Sequence, residues 1–400
     1  MFQDNNNYYQ RISNTSNKTL DDDDNWIKKI WEWADKFELL DSEVPRNKED
    51  LLAIKKLEIL ESEGVGLDEQ ENRDLYKVGY IPDEITYLTN LVEISVSGIN
   101  SSRLPQNIGQ LTNLTKLSIY HSNLIELPDS IGQLSNLTEL LIDDSKLKQL
   151  PDNIGQLTNL SKLFISRCKL RYLPNSFDQL SNLTELDLID CELAELPESL
   201  GQLTNLTKLF INNCDLKHLP NHVGQLGNLT QLDLIHCAFK HLPDSIGQLA
   251  NLTKLYVNHC ELTNLPNSIG QLHNLTELFI SHCHLEELPD SIGQLTSLTK
   301  LDLINCNLKC LPDSIGQLTN LTELNLIRCH LESFPDSIHQ LTSLTKLNFT
   351  DCGLRELPES FLQLTTLEWV NFNGNSLDNL STPILDHLLA INTVYGSERQ

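Results

Sequence analysis

No stretch of this chain approaches the roughly 18 consecutive apolar residues that a membrane-spanning helix needs. The first ten residues, MFQDNNNYYQ, carry neither a basic start nor an apolar run. No secretory signal is read there, and a cytoplasmic location is the expectation. Basic residues are scarce, 29 against 55 acidic, for a net charge of −26. Such a field repels nucleic acid and anionic lipid and favours solubility or a basic partner, so neither nucleic acid nor membrane is expected to bind. Residues 1–80 hold 19 acidic and 11 basic residues, so the acidic excess runs along the whole chain and not only a tail. A Gly-rich phosphate loop, HExxH and GxSxG are all missing. The expectation is therefore no enzymatic activity, no cofactor and no resident metal.

What the chain does have is a period. Of its 15 prolines, those from Pro82 to Pro358 recur every 23 residues without one insertion, and only Pro45 and Pro383 lie outside the series. In one unit Leu111, Leu114, Leu117, Ile119, Leu124, Leu127 and Ile131 are apolar, with polar residues between them. Spacing of two around Leu117 predicts a short strand with alternate faces buried. In the PDSIGQL stretch that follows, Pro128 sets φ, Asp129 and Ser130 are placed to cap a short helical turn, and Gly132 relaxes the backbone. One unit buries too little to offset the entropy of ordering it, so neighbours must stack and both ends must be capped. Thirteen strand positions run from Ile94 to Val370. A degenerate fourteenth precedes them, because Leu51, Ile54, Leu57 and Ile59 repeat the spacing of Leu111, Leu114, Leu117 and Ile119.

The unit LPDSIGQLTNLTKLxLxxCxL resembles the 23-residue leucine-rich repeat class found in Ras-group intracellular scaffolds and in many bacterial repeat proteins, and the match spans residues 82–380. The resemblance implies an α/β solenoid: a horseshoe with a parallel β-sheet on its concave face and short helical or 3-10 segments on its convex face. It also implies a non-catalytic protein-interaction module or scaffold that binds on the concave face, with a small GTPase among the partner classes. A ligand or surface receptor, or a bacterial effector-type recognition protein, is the alternative. Asn375 keeps the residue usual for the family at a position held elsewhere by cysteine.

Five stretches are expected: a disordered tail at 1–20, a helical N-terminal cap with the degenerate repeat at 21–60, an insertion loop at 61–80, the repeat array at 81–380, and a helical cap with a tail at 381–400. In the first cap Trp26, Ile30, Trp33, Phe37 and Leu40 have helical spacing behind Asp21 to Asp24. A monomer is expected.

Several columns run along the array at the 23-residue period. Nine cysteines, Cys168 to Cys352, are read as small buried thiols, because their side chains project in one direction and suit neither zinc nor disulfide geometry. Cys310 lies off the column and is expected to be exposed. Charge alternates from Glu93 and Lys116 to Glu323 and Lys346, which predicts cross-strand ion pairs. On the face expected to be concave, one column contains Phe164, Asp187, Phe210, Asp233, Tyr256, Phe279 and Asp302, and the next contains Ile189, Ile235 and Ile304. Strand-face aromatics serve β-propensity, but exposed rings in an acidic surround also make a protein-binding surface, and that is the reading adopted. The rings are read as anchors and Asp187, Asp233 and Asp302 as selecting a basic partner. A third column runs beside it, and Arg167, His236, His259 and His282 in it are counted with the partner-binding residues, the histidines being a solvated row at the sheet edge and not a metal site or pH sensor.

Overall fold

The computed structural model describes residues 24–60, 78–377 and 380–393. The expected tail at 1–20, Asp21 to Asp23, most of the insertion and the last residues lie outside them. The described chain forms one parallel sheet of fifteen strands in which every strand pairs with its neighbour in sequence. The sheet is open and lines the concave face, with 3-10 turns between strands. Strand length varies along it: Lys162–Cys168, Glu185–Cys191, Lys208–Cys214 and Gln231–Cys237 each have seven residues, the last full repeats only three.

The degenerate first repeat is a genuine coil. Strand Lys56–Ile59 pairs with Glu93–Ser97, with Leu57 opposite Ile94, so the spacing of four aliphatic residues marks a register that the intervening insertion does not disturb. Just ahead of residue 81, buried Val78 forms an isolated parallel bridge with Ile99. At the far end the helix Thr382–Ala390 caps the core with Ile384 and Leu388, as its apolar spacing predicts. One further strand, Asn392–Thr393, follows it and pairs with Trp369–Val370. Thr393 stands 23 residues after Val370, and no aliphatic residue advertises it.

At the N-terminus, helix α1 (Asn25–Lys36) buries Ile27, Ile30, Trp33 and Ala34. It ends before Phe37, and Leu40 is left 63% exposed, so the helical spacing overruns the helix. The indole of Trp33 donates to the Tyr80 carbonyl at 2.6 Å, and Lys29 pairs with Glu84 on the first 3-10 turn. Asp24 takes Lys48 as its partner and makes no cap hydrogen bond.

The PDSIGQL turns depart from the expected division of labour. Pro128 does precede the 3-10 segment Asp129–Gln133 with φ −69°, but no side chain caps that segment. Ser130 instead donates to the Gln106 carbonyl of the preceding coil. Gly132 is needed for space and not for torsional freedom: a Cβ there would lie 2.4 Å from the Asn153 carbonyl oxygen of the next coil. Gly247 meets Ser268 in the same way, also at 2.4 Å, whereas a Cβ at Gly227 would meet nothing nearer than 4.0 Å. Gly247→Ala is therefore expected to cost about 1–3 kcal/mol, because one 3-10 turn must move off the next. Gly227→Ala is expected to change stability little. Thermal unfolding of the pair decides the point, and equal midpoints would mean that adjacent coils separate at no cost.

Coil-to-coil polar ladders run just ahead of the strands, along one edge of the sheet. Asn136 donates to the Thr112 carbonyl at 2.8 Å and Thr138 to the Thr115 carbonyl at 3.0 Å, and the same bonds recur repeat after repeat. The asparagines of the Asn-Leu-Thr triplets thus have a structural use for their carboxamides.

Candidate functional site

Five consecutive strands place Phe164, Asp187, Phe210, Asp233 and Tyr256 directly beside one another, in register, on the concave face. Phe279 and Asp302 extend the row over the next two strands. Two residues along, Ile189 and Ile235 alternate with Ser166, Asn212 and Asn258, and Ile304 lies further on. Parallel strands repeat about every 4.8 Å, so Asp187 and Asp233 each sit between two aromatic neighbours, while Asp302 lies between Phe279 and Asn325.

The rings are not freely exposed. Phe164, Phe210, Tyr256 and Phe279 are all half-buried, as are Ile189, Ile235 and Ile304. Side chains of one column stand closer together than the width of a ring, so each shields the next. Tyr256 and Phe279 meet edge to face with centroids 6.2 Å apart, and the Tyr256 hydroxyl donates to Glu277.

The three acids of the row differ. Asp302 is 4% exposed, lies 3.4 Å from the Lys300 ammonium and accepts from Asn325. This corrects its reading as a surface carboxylate: its charge is already answered within the fold. Asp233 is half-buried and accepts from Gln231 at 3.1 Å. Burial raises its carboxyl above the ordinary range, and the Gln231 bond opposes the shift. Asp187 is half-buried with Oδ1 shut off from solvent and without a hydrogen-bond donor. Burial, then the charges of Glu185 and Asp233, push it from an ordinary 3.8 up to about 6.

The charge ladder beside this row forms as expected. Lys162 reaches Glu139 at 3.5 Å, Lys208 reaches Glu185 at 3.5 Å and Lys254 reaches Glu277 at 2.9 Å. Lys56 continues the ladder at the N-terminal end, 3.6 Å from Glu93.

The third column contains a feature that the sequence reading missed. From His121 to Asp351 each of its members, including Arg167, His236, His259 and His282, has φ between 45° and 57°. Gly98 and Gly374, one period beyond either end, are also left-handed. A regular strand would point these residues inward. The positive φ turns them out and brings the following cysteine in, which is why the burial alternation of Lys162–Cys168 breaks at Arg167. The abundance of Asn, Asp and His in the column, with glycine at its ends, was the available signal. The His236, His259 and His282 rings are exposed and stack at 4.2 and 4.1 Å with interplanar angles of 8° and 11°. Arg167 is exposed and pairs with Asp143, which also accepts from Ser166.

All nine cysteines of the ladder are buried and free, and Cys310 is exposed. Each ladder thiol donates to a backbone carbonyl one coil back, as Cys214 does to Leu188 at 3.5 Å and Cys260 to Leu234 at 3.4 Å. Asn375 fills the same place with a stronger donor, 2.7 Å from the Phe349 carbonyl. Burial pushes the Cys283 thiol up to about 12 and the Cys306 thiol up to about 11, which keeps them protonated and unreactive. Among the described residues no three His, Cys, Asp or Glu side chains converge to hold a metal ion. No helix among them is long and apolar enough to cross a membrane.

A leucine-rich repeat region signature matches residues 117–218, 209–283 and 278–348, more than half of the sequence. The chain belongs to the leucine-rich repeat family. Among solved structures it is similar to a leucine-rich repeat protein of Leptospira interrogans, at 30% identity over 81% of this chain and 97% of that one, with a TM-score of 0.62. It is also similar to the leucine-rich repeat domain of the type III effector XopL, at 30% identity over 53% of this chain and 76% of that domain, with a TM-score of 0.50. The functional domain of InlJ from Listeria monocytogenes shares the fold at 24% identity, with 79% of this chain and 64% of that one covered and a TM-score of 0.62; it includes a cysteine ladder of its own. No curated protein sequence matches the chain. Leucine-rich repeat proteins are in general non-catalytic protein-interaction modules, and this chain shares their architecture.

Proposed function

We propose that this leucine-rich repeat protein is a non-catalytic scaffold that binds a basic protein partner on the concave face, over the strands that carry Phe164 to Phe279. One observation carries the reading: half-buried rings alternate in register with half-buried carboxylates across the longest strands of the sheet. Aromatic anchors held rigid by their neighbours lose little entropy on binding, and acidic neighbours select charge. Asp187 and Asp233 are the selecting acids, and Asp302 belongs to the internal ion-pair system. A net charge of −26 draws a basic partner toward the face. The ladder thiols donate as S–H groups, a role that requires them reduced and favours a cytoplasmic setting.

The test is affinity capture from a lysate of the source cell by wild type and by a folded variant carrying Phe164→Ala, Phe210→Ala, Tyr256→Ala and Phe279→Ala. The expected result is a protein retained by wild type and lost from the variant, since truncating an interface anchor costs about 2 kcal/mol or more. Recovery of the same proteins with both forms would remove the concave row from consideration.

A further inference from the structure

Most concave-face acids are already matched within the fold. Asp143 has Arg167 and Ser166, and Asp302 has Lys300 and Asn325. Glu139, Glu185 and Glu277 have the ladder lysines. Asp187 and Asp233 are different. Asp187 leaves Oδ1 buried and without a donor, and Asp233 accepts from one neutral amide, Gln231, with the Lys254 charge near it but in no ion pair with it. They stand in the same column two strands apart, which sets them about 9–10 Å from each other. Phe164 and Phe210 flank the first, and Phe210 and Tyr256 flank the second.

We infer that the concave face recognises a pair of cationic side chains on one partner segment, one seated at Asp187 between Phe164 and Phe210, the other at Asp233 between Phe210 and Tyr256. This rests on the concave-face reading above and specifies its partner. Asp187 Oδ1 is closed to solvent, so a guanidinium pairs with the part of the half-buried carboxylate that remains accessible, and aromatic walls on either side favour a weakly hydrated cation over water. Arginine suits the niche better than lysine, because its planar fork both pairs with a carboxylate and stacks on rings. The spacing selects residues three apart in an extended segment, at about 3.3 Å each, or seven apart in a helix, at about 1.5 Å each. Such a segment lies across the strands, along the axis of the solenoid.

The pH response follows from the surroundings of Asp187: Glu185 on its own strand, Lys162 and Lys208 on the flanking strands, and Asp233 beyond Phe210. The two lysines are held by Glu139 and Glu185, which leaves burial as the dominant influence on the carboxyl. Cation binding needs Asp187 ionised, so affinity falls as pH drops through about 6.

The test uses the full-length protein and α,ω-diguanidinoalkanes of graded length, with a monoguanidine as reference, titrated by NMR or calorimetry. The expected result is a length optimum where the guanidinium groups are about 10 Å apart, with affinity at least about tenfold above the monoguanidine. Asp187→Asn and Asp233→Asn should each abolish the optimum and return affinity to the monoguanidine level. Asp215→Asn, on an exposed loop, should leave it intact. Affinity that is independent of length, or an optimum that survives both substitutions, overturns the cation-pair inference. That failure differs from failure of the concave-face reading, which shows instead as unchanged partner capture by the quadruple aromatic variant.

Discussion

Trp33→Ala is expected to cost about 3–5 kcal/mol and to open the N-terminal coils ahead of the rest of the array. Trp33 is 2% exposed and is the largest fully buried side chain of the first cap. With Ile27, Ile30 and Ala34 it belongs to the same apolar core as Leu57 and Ile59. Its removal leaves a cavity and deprives the Tyr80 carbonyl of its indole donor, and the two losses add. In a solenoid each coil is supported only by its neighbours, so the damage starts at the end and works inward. Hydrogen exchange resolves this strand by strand. Protection should fall at Lys56–Ile59 and Glu93–Ser97 while Glu185–Cys191 keeps its own. A uniform loss across the sheet would show that the array opens as one cooperative unit and that α1 is not an end cap.

Asp187→Asn is expected to raise stability by about 2–3 kcal/mol at pH 7 while weakening the basic partner. The carboxyl binds protons more tightly in the folded chain, near 6, than in the unfolded chain, near 3.8. Between those values the native state holds the extra proton, so wild-type stability declines as pH rises from about 4 to about 6. Asparagine does not titrate. The two proteins should therefore be equally stable below about pH 4, diverge up to about pH 6, and keep a constant gap above it. Denaturant unfolding at several pH values measures this directly. A variant that is less stable than wild type at pH 7 would mean that Asp187 has a favourable partner in the folded chain. A carboxylate kept at such a cost on a binding face is what a site selected for affinity over stability would show.

Some features of this molecule are legible from particular residues. The proline series and the aliphatic positions around Leu117 define strand, turn and period, because a buried strand face and a φ-restricted turn each demand specific side chains. The same logic found the strand at Leu57 across a polar insertion. It failed at Asn392–Thr393, where the backbone pairs without any apolar residue to report it. The left-handed column is only partly legible in residue type, because Arg167 and Arg328 interrupt the Asn, Asp, His and Gly that favour such a torsion.

The sequence by itself determined the register, the columns and the charge alternation, since all three depend on residue identity at a fixed period. Which members of a column reach solvent was decided only by the tertiary structure. Phe164 and Phe210 are half-buried because neighbouring strands crowd them, and Asp302 is withdrawn because Lys300 and Asn325 lie within reach of it. Asp187, identical to Asp302 in type and period, is left with an unanswered oxygen. Burial and hydrogen bonding are properties of what surrounds a side chain in three dimensions, and a one-dimensional pattern repeats the residue without repeating its surroundings.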